Sequence, residues 1–468
     1  MSAAFPSRPR LAEHALVRRH FIDGNEIVVV HDARSGDLVR MPPRAWALIE
    51  AADGTRDLAG LLLAASQRGE LRRASEVEAV LTDLHAAGLL VDGIDPFAFE
   101  AADAEVPADA PLDVLPFALT CDGSGACCAT YSTVRFTEDE AARARSLLPL
   151  VEEGRARVFL PLAGSGAQPS RAVTMIDGRC AYLAGDGACE LHRRHGAGAK
   201  PSGCAIYPAT FAFDGEAVRV SLGVECACVA KSLGNKDGEP LVPAAARSRA
   251  DLPAGAQIAV LPERIDLGEG LSRPRAEVLA WSRDVLAAWR EAARGEETAD
   301  AFATLWNLAK TVRAGVLSAS AVEAALQAAK SRVPVSELKP WISALIERTS
   351  GKRDAADRWR AHDDRVRGLS ASLAEAAAAL GDEACLSRAV EGEGAARPLE
   401  SFYLTATVHG HGLIGDVPLA TALCDRAVRV LLGRALSTRS EPSDGAALTR
   451  VEAMMRAQGL KEYARGVG

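Results

Sequence analysis

The sequence predicts a mainly α protein with small β elements. It divides into an N-terminal winged-helix-like domain (14–95), a loop-rich cysteine-cluster domain (117–235) and a helical C-terminal region (273–468). Three observations carry this division. From about residue 273 onward, apolar residues recur at helical spacing. Residues 14–95 pass from strand-like runs to helix-like ones and back. Between the two, glycine is frequent, helical periodicity is poor, and eight of the ten cysteines lie between residues 121 and 228.

The N-terminal elements follow in order. Glu26-Ile27-Val28-Val29-Val30 reads as a strand, and Asp37-Leu38-Val39-Arg40 as its hairpin partner, turned by Ser35-Gly36. Pro42-Pro43 opens a helix through Trp46, Leu48 and Ile49, since proline is tolerated in a first helical turn. Gly54 ends that helix, and Thr55 is placed to cap a second one carrying Leu58, Leu61, Leu62 and Leu63. Ser75 is placed to cap a third, with Val77, Val80, Leu81 and Leu84 on one face. Gly88 stops it, and Leu89-Leu90-Val91 returns as a strand. Strands, three helices and a closing strand make a winged-helix-like unit.

Residues 96–116, rich in Ala, Asp and Pro, read as a linker. Residues 117–235 read as loops folded around something other than a large apolar core. Residues 236–272 form a Pro- and Gly-rich connection with a short strand at Ile258-Ala259-Val260-Leu261. Helices then follow on Val278, Leu279, Trp281, Val285, Leu286 and Trp289, on Phe302, Leu305, Trp306, Leu308 and Val312, on Val322 and Leu326, and on Ile342, Leu345 and Ile346. Later ones are expected over 353–380, 398–408, 415–436 and 444–464.

Composition excludes several classes. In 468 residues, 48% hydrophobic and 25% charged is ordinary globular usage, not that of a disordered, collagen-like or membrane-embedded chain. A net charge of −8 argues against a nucleic-acid partner held by phosphate contacts. The first residues show no apolar secretory core, and no run of 18 uncharged apolar residues suggests a membrane span. The expected compartment is the cytoplasm, with no membrane partner. Ten cysteines in a reducing compartment argue for thiol chemistry or metal rather than a disulfide framework.

The cysteines run Cys121-x5-Cys127-Cys128, then Cys180-x8-Cys189-x14-Cys204, then Cys226-x-Cys228. Chance would put about two of ten in that span of the 468 residues. Thiolates are soft donors that suit zinc and iron–sulfur clusters, and four close a structural zinc site or hold one 4Fe–4S cluster. Eight can serve two four-cysteine sites, or one site with spare thiols. The flanking Asp122-Gly123-Ser124-Gly125-Ala126 and Gly185-Asp186-Gly187-Ala188 let backbone N–H groups approach sulfur. Neighbours in an extended chain point opposite ways, so Cys127-Cys128 suits a polynuclear cluster or two sites better than one ion. The plain alternative is a set of buried or oxidised cysteines.

Cys121…Cys127-Cys128, Gly178-Arg179-Cys180-Ala181-Tyr182-Leu183, Cys189-Glu190-Leu191-His192 and Lys200-Pro201-Ser202-Gly203-Cys204-Ala205-Ile206-Tyr207-Pro208 resemble the YkgJ-type cysteine-cluster family, described as zinc- or iron-chelating. The first spacing is wider than in that family, Lys200 stands for its usual Arg, and His192 for its usual Tyr. Lys200 keeps a cation but loses the guanidinium fork. Gly223-Val224-Glu225-Cys226-Ala227-Cys228-Val229-Ala230-Lys231-Ser232-Leu233 and, more loosely, Leu399-Glu400-Ser401-Phe402-Tyr403-Leu404 resemble flagellin lysine N-methylases. That resemblance implies transfer of methyl from S-adenosylmethionine to protein lysines by a protein carrying an iron–sulfur cluster.

Cys385 and Cys424, alone in helical sequence, read as core. His192 and His195 follow Cys189 closely enough to be weighed as ligands, and His409-Gly410-His411 reads as a plain turn between helices rather than a metal pair.

Val39-Arg40-Met41-Pro42 leading into Ala45-Trp46-Ala47-Leu48-Ile49, with Asp53-Gly54-Thr55-Arg56 and Leu81-Thr82-Asp83-Leu84-His85-Ala86-Ala87-Gly88-Leu89-Leu90, resembles the PqqD-like module, which recognises precursor peptides. Such a module offers a sheet edge to an extended peptide. A DNA-binding winged helix is the competing reading, but residues 11–95 carry nine Arg, no Lys and fourteen acidic residues, the wrong sign against phosphate. A purely structural domain is the other.

Three functions therefore stand as expectations. The first is a metal protein, with a 4Fe–4S cluster favoured over zinc, that binds or modifies a peptide or protein. The second is a protein-lysine N-methyltransferase. The third is a non-catalytic metal or redox sensor.

Overall fold

A computed structural model describes residues 5–12, 15–22, 25–32, 38–54, 56–67, 73–92, 106–123, 125, 134–148, 159–162, 170–173, 175–176, 179–184, 186–235, 237–253, 256–292, 300–359, 364–415, 417–439, 446–457 and 464. It is about 53% helix and 17% strand, mainly α with small sheets. Among the described residues no helix is long and apolar enough to cross a membrane.

The N-terminal region opens with β1 (Pro9–Leu11), β2 (Ala15–Ile22), β3 (Asn25–Asp32) and β4 (Leu38–Met41). Helices α1 (Pro43–Ile49), α2 (Leu58–Gln67) and α3 (Ala74–Ala86) follow, then β5 (Leu90–Asp92). β3 and β4 are the expected hairpin strands, with Val30 opposite Val39; the Ser35-Gly36 turn lies outside the described residues. β1 and β2 are additions to the expected pattern. In β2 the sequence Arg18-Arg19-His20 hides the alternation of Ala15 and Val17, yet the strand pairs with β3 from Ala15 opposite Asp32 to Ile22 opposite Asn25. Val28 and Val30 join Leu11, Val17, Trp46, Ile49, Leu61, Val77, Leu81 and Leu84 in one core. Each such buried aliphatic stabilises the fold by roughly 1.5–3 kcal/mol before entropy is counted.

Two caps differ from expectation. α2 is capped by Asp57, whose Oδ1 accepts from the Gly60 N–H at 2.9 Å; Thr55 lies outside the described residues. A carboxylate at this position also faces the positive end of the helix dipole. α3 begins at Ala74 after Arg73, without a side-chain cap, so Ser75 is already inside it.

The next stretch holds β6 (Leu112–Val114), β7 (Ala118–Leu119), β8 (Arg135–Thr137), α4 (Glu138–Leu147), β9 (Phe159–Leu162), β10 (Ser170–Val173), β11 (Met175–Ile176) and β12 (Arg179–Cys180). Short helices α5 (Glu190–His195) and α6 (Ser202–Ala205) follow. Part of the expected linker is thus strand. The expected loops also carry regular structure, including a reciprocal cap in which Thr137 Oγ1 accepts from Glu140 N–H and Glu140 accepts from Thr137 N–H. β8, β10 and β9 form one small sheet; β12, β11, β2, β3 and β4, in that order, form another.

Beyond it come β13 (Ala209–Phe213), β14 (Val218–Leu222), α7 (Ala227–Ser232), β15 (Glu239–Pro240), β16 (Ile258–Val260), β17 (Arg264–Gly268) and β18 (Leu271–Pro274). β16 is the strand expected at 258–261. β13 and β14 are a hairpin, flanked by β16 and β6 in a four-stranded sheet. Helices then run α8 (Arg275–Ala292), α9 (Ala301–Arg313), α10 (Ala319–Ala328), α11 (Val335–Trp359), α12 (Asp364–Leu380), α13 (Glu383–Val390), α14 (Arg397–His409), α15 (Leu419–Thr438) and α16 (Ala447–Ala457). α15 is buried nearly along its whole length. Its Arg434 is enclosed by Glu400 (2.7 Å), Asp300 (2.9 Å) and the Ala389 carbonyl. Its Arg429 pairs with Asp425 and Glu452.

The chain forms two compact units. The first comprises Met1–Glu105, Gly123–Ala205 and Arg358–Asp364, and the second Val106–Asp122, Ile206–Asp357 and Arg365–Gly468.

Candidate functional site

In the first unit, Cys180 closes β12, opposite Met175 of β11. A tight return follows. Leu183 N–H bonds the Cys180 carbonyl (2.9 Å), Gly187 N–H the Ala184 carbonyl (3.0 Å), and Glu190 N–H the Tyr182 carbonyl (2.8 Å). Leu183 bridges to Cys189, which stands immediately before α5. Cys204 enters from a third element, α6, whose first N–H, at Ser202, is held by Glu140 Oε1 at 2.8 Å. All three thiols lie on one small core of Phe136, Phe159, Tyr182 and Leu191. Its aromatic rings pack at 4.9 Å (Phe136–Phe159) and 6.0 Å (Tyr182 to each).

Burial pushes the Cys180 thiol far up from its usual range, the Tyr182 backbone N–H opposes this, and the negative charges of Cys204 and Cys189 add to the rise. Gly125 packs on this return: a Cβ there would lie 2.0 Å from the Gly187 carbonyl oxygen, so only glycine fits. Cys127 and Cys128 lie outside the described residues.

In the second unit, Cys226 and Cys228 sit at the start of α7, both buried. The segment 120–122, which follows β7, lies along that helix. Asp122 N–H donates to Cys228 Sγ (3.5 Å) and Thr120 N–H to Ser232 Oγ (2.9 Å), and Asp122 is paired with Lys231. Cys121 precedes Asp122 directly and is exposed. Burial pushes the Cys228 thiol up to about 12; the Asp122 N–H lowers it, and the charges of Cys226 and Asp122 raise it. A backbone N–H directed at sulfur is the contact that stabilises a thiolate bound to metal.

The structure thus sorts the described cysteines into Cys180, Cys189 and Cys204 in one unit and Cys121, Cys226 and Cys228 in the other. Among the described residues no three His, Cys, Asp or Glu side chains stand close enough to hold a single metal ion. His192 and His195 are exposed on α5. Cys424 is core, its thiol raised by burial to about 12, while Cys385 is half-buried.

The sequence reading missed one polar cluster in the second unit. His409 ends α14 and His411 follows in the left-handed region (φ 52°), both buried. His411 Nε2 lies 3.5 Å from Asp214 Oδ2, and His409 Nε2 lies 3.2 Å from the Asp113 carbonyl. Asp214 accepts from the N–H groups of Glu216 and Ala217 (2.8 Å each) and from Arg219 Nε (2.6 Å). The Asp214-Gly215 turn was the available signal: it closes the β13–β14 hairpin and brings Arg219 back to the carboxylate.

Comparison with family models, with curated proteins and with solved structures finds no match to this chain.

Proposed function

We propose that the chain is a cysteine-ligated metal protein that serves a peptide or protein partner. In this reading Cys180, Cys189 and Cys204 serve the first unit and Cys121, Cys226 and Cys228 the second, while Cys127 and Cys128, outside the described residues, are candidate ligands by sequence alone. The observation that carries the reading is the gathering of Cys180, Cys189 and Cys204 from three separate elements onto one aromatic core. Cysteines kept merely as small hydrophobes have no reason to collect on one small core. The donor set is all soft sulfur, and backbone N–H groups are at hand, which fits an iron–sulfur cluster first and zinc second. Bound there, a cluster supplies redox or Lewis-acid chemistry, and zinc supplies structural closure.

The N-terminal strands and three helices are read as a PqqD-like winged-helix module offering a sheet edge to the partner, and the compartment as the cytoplasm, where thiols stay reduced. The experiment is anaerobic purification followed by iron, zinc and acid-labile sulfide analysis. Brown protein with iron and sulfide is the expected result. Zinc without sulfide would replace the cluster by zinc sites, and protein free of both would overturn the reading. Measured binding of S-adenosylmethionine would favour the protein-lysine N-methyltransferase reading over a sensor or carrier.

A further inference from the structure

In the second unit, the turn that joins α14 to α15 is docked on the four-stranded sheet. Polar contacts hold its near end. His409 Nε2–H donates to the Asp113 carbonyl of β6 at 3.2 Å, and His411 Nε2 faces Asp214 Oδ2 at 3.5 Å. Between the two histidines, Gly410 lies against β14: a Cβ there would fall 2.5 Å from the Ser221 Cβ. Ser221 Oγ in turn donates to the Ala406 carbonyl at 2.7 Å. An apolar contact holds the far end. Ile414 packs on Ala212, Leu261 and Leu279, a small cluster of buried residues separate from the unit's main core. Satellite clusters of this kind lie under a covering segment, and here that segment includes the turn.

The charged groups around the two imidazoles are Asp113 from β6, Asp214 after β13 and Arg219 from β14. Arg426 of α15 reaches the turn one residue further on, at the Gly412 carbonyl (3.2 Å). Arg219 is already committed to both carboxylates, Asp214 and Asp113. Two carboxylates and one guanidinium leave a single negative charge. One cation, on His411 beside Asp214, balances it, and a second, on His409, is in excess. Burial accordingly holds His409 below the ordinary histidine range; Asp113 opposes this, and Arg219 and His411 add to it.

We propose that His409 is an acid-operated release for this turn. Neutral, it holds the turn on the sheet. On taking up a proton it lets the turn lift and uncovers the apolar patch of Ala212, Leu261 and Leu279. The lifted turn gives the new cation to water instead of leaving it buried beside Arg219. A docked value below the undocked one means that docking is fully favoured above the undocked pKa of about 6.5 and is lost as pH falls below it. At pH 5.5 proton uptake favours the lifted state by at most about tenfold. The release needs no metal and stands apart from the metal reading.

The test is amide hydrogen exchange on the full-length chain at pH 7.5 and pH 5.5, read as protection factors so that the intrinsic pH dependence of exchange drops out. Protection over residues 405–415 should fall about five- to tenfold at the lower pH. A dye that brightens on apolar surface should report the uncovered patch in the same samples. His409→Gln keeps a side-chain donor but cannot take the proton, and should hold its protection at pH 5.5. Unchanged protection in the wild type would overturn the release. An equal fall in wild type and His409→Gln would place the proton elsewhere and overturn the role of His409. If the variant does not fold, the exchange of the His409 ring C–H with pH in the wild type decides: a midpoint below about 6.5 supports the release, and one at or above it overturns the proposal.

Discussion

Gly123 and Gly125 allow a matched experiment on the first thiol site. Both have positive φ, +68° and +66°. An alanine at either costs roughly 1–2 kcal/mol for that backbone region. They differ in what a Cβ meets. At Gly123 nothing lies within 4 Å. At Gly125 the Cβ would fall 2.0 Å from the Gly187 carbonyl oxygen, 2.9 Å from its carbon and 3.0 Å from Leu183 Cδ1. Relieving that overlap moves backbone by about 1 Å, and displacements of this kind cost typically 1–3 kcal/mol. The displaced backbone is the return that joins Cys180 to Cys189. Gly125→Ala should therefore weaken metal binding at least about tenfold relative to Gly123→Ala, since tenfold is 1.4 kcal/mol. The assay is chelator competition on both variants, with thermal melting alongside. If the two variants lose metal and stability equally, the steric argument is wrong and the return between the cysteines does not shape the site.

Two further outcomes follow from buried charge. Burial pushes the Asp214 carboxyl up, but His411, the Ala217 N–H and Arg219 together hold it well below the usual carboxylate range. A depressed folded value means its stabilisation is full above the unfolded pKa of about 3.9 and is lost as pH falls toward the folded value. Asp214→Asn should cost about 2–3 kcal/mol at neutral pH and flatten the acid limb of the stability curve, measured by urea unfolding at several pH values; an unchanged acid limb would refute this. Arg434→Ala strands Glu400 in the interior, while Asp300 keeps its pairing with Arg397, and should cost about 3–5 kcal/mol. Arg434→Met with Glu400→Leu should recover much of that loss in the same unfolding assay, and a single variant within 1 kcal/mol of wild type would contradict the pairing.

How far the sequence is legible depends on whether the deciding contact is local. Helices such as Arg275–Ala292 could be read because Val278, Trp281, Val285 and Trp289 repeat on one face and are buried there. The strand at Ile258–Val260 and the hairpin partner at Leu38–Met41 follow from β-branched runs next to turns. The cap at Thr137 and the hairpin closed by Asp214-Gly215 were also written locally, in patterns that the glycine-rich surroundings obscured. Other features had no local signature. The partner of β2 on one side is β11, about 155 residues away, and no window of sequence contains both. Arg429 and Arg434 look like a solvated face of α15, because their partners Glu452, Glu400 and Asp300 come from other elements. The cysteines announced themselves by clustering, but their division between Cys180, Cys189 and Cys204 on one side and Cys121, Cys226 and Cys228 on the other needed the fold.

The parallel pairing of β2 with β11 also bears on synthesis. On the ribosome β2 and β3 emerge early and can pair at once. At roughly 5–20 residues per second, β11 arrives about 8–30 seconds later. For that interval β2 is an open sheet edge on a nascent chain, the kind of surface that templates aggregation. Its sequence, Ala15-Leu16-Val17-Arg18-Arg19-His20-Phe21-Ile22, places three basic residues in the middle of an otherwise apolar strand. The same residues that hid β2 from pattern reading are gatekeepers, discouraging a second nascent chain from taking the position reserved for Met175 and Ile176.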